Sequence, residues 1–259
     1  MSTSARLTST AVSSLLLAFL VAAPFGWSQD SNKDFHWKGK LNTDQTVTVK
    51  TINGEIKAEP ASGDEVEVTG MATGKYAQEV KFEVKQDGDG VTICETYPHH
   101  DSCTGKSSGH DNNDRTHISY SVRVPSRNRF TGKSVNGDIT AQNLDRQVTA
   151  HTVNGGVKIS TKSWAEAKSV NGSVEAMMGS ADWTGTLHFS TVNGSIHIGL
   201  PANTNADVDV RSVNGSFKSE LPLATQSFMS RHVEGRIGSG GRELKLDTVN
   251  GSVHLVKSN

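Results

Sequence analysis

The densest group of ligand-type side chains lies between positions 94 and 111, where Cys94, His99, His100, Asp101, Cys103, His110 and Asp111 fall close together. Imidazole, thiolate and carboxylate are the donors a transition metal takes. Their spacing matches no zinc motif, and the Gly/Ser-rich HHDSCTGKSSGHDNNDR reads as a solvated loop. No metal and no cofactor is therefore expected, with His99, His100 and His110 the weak candidates if one binds. Cys94 and Cys103 are the only two cysteines, and a close pair in an exported chain predicts a local disulfide.

A second set of charges recurs with a period. Lys50, Lys133, His151, Lys168, Arg211 and Arg231 each stand three residues before a recurring motif position. Stacked, this column becomes a basic ladder suited to an anionic glycan, lipopolysaccharide or surface polymer, or a solvated face that protects a sheet. The acids Asp138, Glu175 and Glu220 do not recur as a pair, so the two-carboxylate arrangement of glycoside cleavage is not expected. The sequence carries no G-x-S-x-G, H-E-x-x-H, P-loop or dinucleotide fingerprint. His188, His197 and His254 fall within strand-like runs, the last two in an outward column with Lys57, Lys158 and Lys218.

What positions these residues is a repeat. The motif is Thr51-Ile52-Asn53-Gly54, then copies at Asn136-Gly137, Asn154-Gly155, Asn171-Gly172, Asn193-Gly194, Asn214-Gly215 and Asn250-Gly251, with His232-Val233-Glu234-Gly235 as a degenerate copy. From Asn136 the intervals are 18, 17, 22, 21, 20 and 16 residues, a period of about 20 that marks a solenoid or a meander.

The columns decide between hairpin and corner. Three residues after each Asn stand Ile56, Ile139, Val157, Val174, Ile196, Phe217 and Val253, all apolar, whereas the position two after is polar or Gly in each copy. In a two-residue Asn-Gly hairpin the flanking residues share a face, so that phase is wrong. A corner in a coiled path accommodates it, with Gly expected at positive φ. The expected fold is all-β: a repetitive β-solenoid, single-stranded and parallel β-helix-like, about 20 residues per coil, with an N-terminal β region. An antiparallel meander or β-sandwich is the alternative. Val192, Ile196 and Ile198 are expected inward, His197 outward, and the Asn side chains in a hydrogen-bonded ladder. Asn171, Asn193, Asn214 and Asn250 also read N-G-S, which the turn explains better than a glycan does.

Ahead of the close repeats, residues 45–51, 65–69, 79–84, 91–97 and 118–124 read as strands of a region spanning 29–130, with 131–259 as the repeat. Trp164–Lys168 is the single helical candidate. The N-terminus, with Arg6, an apolar run over 11–23 and small residues Gly26 and Ser28, reads as a signal peptide over 1–28. The run is shorter than the ~20 residues that span a bilayer. The product is expected in the periplasm, on the cell surface or secreted, without stable membrane insertion. The net charge of −1 gives no electrostatic reason to expect nucleic acid.

VRVP followed by SVNGDITAQNLDRQVTAHTVNGGVKI resembles the β-strand-repeat, domain-of-unknown-function family of exported bacterial proteins that carries the label "putative adhesin". The resemblance spans roughly residues 40–257 and implies an extracytoplasmic repeat protein linked to the envelope or its stress response, with no catalytic residues to carry over. Together these readings point to a non-enzymatic envelope or secreted module that binds a surface polymer, a glycan or an envelope protein. The alternatives are a structural module that self-associates through its C-terminal edge and, less well supported, a polysaccharide-acting enzyme.

Overall fold

The computed structural model describes residues 32–107, 115–229 and 231–258. Residues 1–28, read above as a signal peptide, and His110 lie outside them. The described residues form twenty-three strands in chain order. The first nine are β1 (Lys33–Lys40), β2 (Thr46–Lys50), β3 (Ile56–Pro60), β4 (Glu65–Thr73), β5 (Lys81–Asp87), β6 (Gly90–Tyr97), β7 (His100–Asp101), β8 (Lys106–Ser107) and β9 (His117–Val124). The repeat follows with β10 (Arg129–Lys133), β11 (Ile139–Leu144), β12 (Val148–His151), β13 (Val157–Thr161), β14 (Ala165–Lys168), β15 (Val174–Met178), β16 (Thr186–Asn193) and β17 (Ile196–Leu200). The remainder are β18 (Ala206–Asn214), β19 (Phe217–Ser219), β20 (Leu223–Met229), β21 (His232–Ile237), β22 (Arg242–Asn250) and β23 (Val253–Lys257). Trp164–Lys168 is not helical: Ala165–Lys168 forms β14, held in parallel register by β12 and β16.

Each V-N-G copy joins a strand of one sheet to a strand of the other. Sheet A runs β1-β4-β9-β3-β11-β13-β15-β17-β23-β19, and sheet B runs β20-β21-β18-β22-β16-β14-β12-β10-β2-β6-β7-β8 with β5 on β6. The coils stack in parallel, so the solenoid holds and the meander does not. The apolar position after each turn builds one wall of the core, with Ile56, Ile139, Val157, Val174, Ile196 and Val253 in direct register. Ala150, Ala167, Phe189 and Leu246 face them from sheet B, all fully buried. Each buried Val, Ile, Leu or Phe side chain among them contributes about 1.5–3 kcal/mol by leaving water, and each alanine less, and each does so against its neighbouring coils.

Both sheets run unbroken across residue 130, because β2 pairs β10 and β3 pairs β11. The N-terminal region is thus two further coils, β2/β3 and β6/β9, flanked by antiparallel β1, β4 and β5.

The order of coils departs from chain order. The last coil, β22/β23, lies between β16/β17 and β18/β19. The expectation that the C-terminal strand offers an open edge is therefore wrong: β23 is paired on both sides, and β19 ends sheet A. Nor is the degenerate copy at Glu234 a corner. It sits inside β21, antiparallel to β18 with Glu234 opposite Asp209, which is why the Asn column has no place for it.

The glycines are required for closeness more than for backbone sign. Among the seven Asn-Gly glycines only Gly54 and Gly137 have φ in the positive range that disfavours side chains. A Cβ on any of the seven, however, would lie 1.8 to 2.3 Å from a carbonyl oxygen of the adjacent coil. Glycine is the residue that lets one corner rest on the next.

Candidate functional site

The corners form three parallel columns along one edge of the rod. In the first, each Asn Nδ2 donates to the Oδ1 of the coil before it. Asn136 donates to Asn53 at 2.7 Å, Asn154 to Asn136 at 2.7 Å, Asn171 to Asn154 at 2.8 Å, Asn193 to Asn171 at 2.7 Å, Asn250 to Asn193 at 2.7 Å and Asn214 to Asn250 at 2.8 Å. The four N-G-S amides are all committed to this ladder.

The second column is the Ser or Thr two residues before each Asn, buried at 3% to 7% exposure. The hydroxyls of Ser134, Thr152, Ser169, Thr191, Thr248 and Ser212 donate to the glycine carbonyl of the neighbouring corner. This satisfies an acceptor that the corner would otherwise bury.

The third column corrects the sequence reading. Val135, Val153, Val170, Val192, Val249 and Val213 point outward, 36% to 43% exposed. The buried hydroxyl one residue earlier occupies the inward position that valine was expected to take.

At the N-terminal end of the ladder, side chains of β6 replace the missing corner. Tyr97 OH accepts from Asn53 Nδ2 at 2.9 Å, and Glu95 Oε1 accepts from the Ile52 N–H at 3.2 Å. In the inner coils the corresponding valine N–H finds a backbone carbonyl, as Val192 does at Val170. Glu95 is fully buried, and its Oε2 accepts from Tyr120 OH at 2.7 Å. Burial pushes its carboxyl up to about 7, against the pull of the Tyr120 hydrogen bond. Burial likewise holds the Tyr120 phenol well above its ordinary range, with Glu95 adding to the effect. Ser102 donates to the Glu95 and Lys50 carbonyls, and the Cys94–Cys103 disulfide closes this loop as expected, with S–S 2.06 Å. For a loop this short the cross-link contributes roughly 2–3 kcal/mol in the chain-entropy view.

Sequence reasoning missed Glu95 and Tyr97, although a signal was present. In VTICETY the inward phase reads Val91, Ile93, Glu95, Tyr97, and an acid in an apolar phase marks a buried carboxyl with partners.

Four residues of the basic column fall in register. Lys50, Lys133, His151 and Lys168 are direct register partners on β2, β10, β12 and β14. Ser190 and Asp247 then separate Lys168 from Arg211. Arg231 is not a rung, because its neighbour His232 pairs with Arg211. Lys168 is drawn to Glu166 at 2.7 Å, and Lys50 Nζ donates to the Cys103 carbonyl at 3.2 Å. Burial, reinforced by Lys168 and Lys133, lowers the His151 pKa, with Glu166 opposing.

The other expected histidines are placed as follows. His188 bonds Asp247 at 2.7 Å, and His197 and His254 lie side by side with ring centroids 4.5 Å apart and planes tilted by 41°. His100 lies against the Tyr97 ring at 4.7 Å, and His99 sits beside it at φ 69°. Among the described residues the one grouping with metal-ligand geometry is Glu83, Cys94 and Cys103. Both of its sulfurs are spent in the disulfide, so that group does not fit a metal.

The acids Asp138, Glu175 and Glu220 are not brought together. Asp138 accepts from Gly156 N–H, Glu175 pairs with Lys158, and Glu220 accepts from Lys257 N–H.

Against this geometry, residues 146–256 match the Toastrack DUF4097 family profile. Over that stretch the chain is similar to the Toastrack family. The match opens just before β12 and closes in β23, so it takes in the stacked corners from Asn154 to Asn250. The resemblance read from SVNGDITAQNLDRQVTAHTVNGGVKI is supported over residues 146–256.

No curated protein matches the chain. Among solved structures, a putative cell adhesion protein from Clostridium sporogenes is 10% identical, with 88% of this chain and 100% of that one covered at TM-score 0.42. A putative adhesin from Bacteroides fragilis is 11% identical, with 88% and 98% covered at TM-score 0.39. Neither likeness is close enough to speak to function.

Proposed function

We propose that this protein is a non-enzymatic, exported β-repeat module of the cell envelope whose outer sheet-B face binds an anionic surface polymer. The observation that carries this reading is the four-rung basic column Lys50, Lys133, His151 and Lys168. Like charges in direct register destabilise a sheet, and among the described residues Lys133 has no ion-pair partner at all. Lys50 and Lys133 stand one strand spacing of ~4.8 Å apart and Lys168 two spacings further on, with His151, whose charge is disfavoured by burial, between them, and this lysine row presents a positive edge to a polyanion. The disulfide suits an oxidising compartment, as does the signal-peptide pattern at the N-terminus. Among the described residues no helix is long and apolar enough to cross a membrane.

Retention on immobilised heparin, used as a generic sulfated polysaccharide, tests the reading. The wild type is expected to bind at low salt and elute as salt rises. Lys133→Glu combined with Lys168→Glu is expected to weaken binding about tenfold, roughly 1.4 kcal/mol. Arg211→Glu, which lies beyond Ser190 and Asp247, is expected to change it little. Absence of retention at low salt, or equal losses in all variants, would overturn the proposal.

A further inference from the structure

The seven Asn-Gly steps are chemically the same, yet the stack treats one of them differently. In six, the glycine N–H that follows the Asn is held by an Asn carbonyl of the neighbouring coil. Gly54 donates to Asn136 at 2.8 Å, Gly137 to Asn154 at 2.9 Å, and Gly155, Gly172, Gly194 and Gly251 to Asn171, Asn193, Asn250 and Asn214 at 3.0 Å each. Gly215 has no such bond among the described residues. It is also the one Asn-Gly glycine that is exposed, the other six being half-buried or buried. Its Asn214 is the last rung: Nδ2 donates to Asn250, and among the described residues no further Asn donates to its Oδ1. The strand beyond, β21, runs antiparallel and brings no corner to cover it.

We infer that Asn214-Gly215 is a covalent modification site at which the folded protein deamidates in preference to every other Asn-Gly step. In the reaction the Gly215 backbone nitrogen, losing its proton, attacks Cγ of Asn214. The Cγ–Nδ2 bond breaks and the amide leaves as ammonia with that proton, closing a succinimide. Water then adds across either imide C–N bond and opens the ring to aspartate or isoaspartate. In the inner corners the attacking nitrogen is engaged in a backbone hydrogen bond and the amide is held from both sides, so the same attack requires the stack to open first. At Asn214 neither restraint applies fully. The product replaces a donor with a carboxylate facing the Asn250 Oδ1 acceptor, which breaks the final rung and loosens the terminal coil.

The molecule contains its own control. Asn171, Asn193, Asn214 and Asn250 stand in identical V-N-G-S tetrapeptides, so flanking sequence does not distinguish them. Incubation of the full folded chain in mildly alkaline buffer, followed by peptide mapping with mass spectrometric detection of the acid and isoaspartyl forms, reads the rate at each site. Asn214 is expected to convert about tenfold or more faster than the other three, the rate equivalent of one backbone hydrogen bond. In concentrated urea the four rates are expected to converge. Equal rates in the folded protein, a faster inner rung, or a lead of Asn214 that persists undiminished in urea would each overturn the inference.

Discussion

Gly155→Ala is expected to abolish or severely weaken folding, while Gly156→Ala, one residue away, is expected to be nearly neutral. A Cβ at Gly155 would stand 2.3 Å from the Gly137 carbonyl oxygen and 2.6 Å from its carbon, and both are backbone atoms that cannot rotate aside. At Gly156 the nearest atom is 3.6 Å away, ordinary contact. Relief at Gly155 would push two coils apart, and the bonds lost first are those the corner makes. These are Gly155 N–H to Asn171, the Asn154 amide to Asn136, and the Ser169 hydroxyl to the Gly155 carbonyl. Strain of this kind belongs to the exceptional class of substitutions that cost more than about 4–5 kcal/mol, a fall in melting temperature of about 10 °C or more for a chain this size. Thermal unfolding followed by circular dichroism separates the two variants. A Gly155→Ala protein that melts within a few degrees of wild type would mean the coils are not packed corner on corner.

Glu95→Gln is expected to stabilise the protein above neutral pH. The Glu95 carboxyl is raised from 4.5 to about 7 by burial, so the folded state holds a proton that the unfolded chain releases at lower pH. The stability it contributes is complete below about 4.5 and is lost as pH rises towards 7, because there the native state binds more protons than the unfolded one. The loss amounts to roughly 3 kcal/mol once Glu95 ionises. Glutamine keeps an acceptor for the Ile52 N–H and a partner for Tyr120 OH, and it carries no charge at any pH. Other groups run the opposite way: Ser119, with help from His117, lowers Glu55, and Arg236 lowers Asp207, so their contributions are lost in acid. The informative quantity is therefore the difference between wild type and Glu95→Gln in urea denaturation across pH. That difference is expected to grow from near zero below pH 4.5 to its maximum above 7. A difference that shrinks as pH rises would show that Glu95 is ionised and stabilising in the fold.

The period and the inward column were legible because a coil repeats its burial along with its sequence. Ile56, Ile139 and Val174 share an environment, and any alignment on Asn exposes it. The Asn ladder was legible for the same reason, since identical amides at a fixed corner meet their own kind. Three things were hidden, each by a different cause. Val192 and its relatives are apolar yet exposed, because the corner reserves its inward position for a hydroxyl that bonds a carbonyl; residue type alone assigns the two the wrong way round. The place of β22/β23 between earlier coils was hidden because register carries no record of stacking order: His254 suits a seat beside His197 as well as one at the end. The cap formed by Glu95 and Tyr97 was hidden because it occurs once, outside the repeat, where no column calls attention to it. The basic column shows both sides of this. Its spacing from Asn was plain, and so was the gap at Ser190, three residues before Asn193; coil order only adds Asp247 to that gap, and the antiparallel course of β21 removes Arg231.

The account rests on coils that stack corner on corner with the C-terminal coil inserted before the one that precedes it in sequence. Paired cysteine substitutions on the outer face of sheet A read that order directly. His197→Cys with His254→Cys joins direct register partners, at a Cα spacing a disulfide can bridge. His197→Cys with Lys218→Cys joins residues that sit on either side of β23, about 9–10 Å apart. Mild oxidation followed by peptide mapping is expected to show the first pair cross-linked in the folded monomer and the second pair reduced. Cross-linking of the second pair with none in the first would restore chain order to the stack and contradict the fold described.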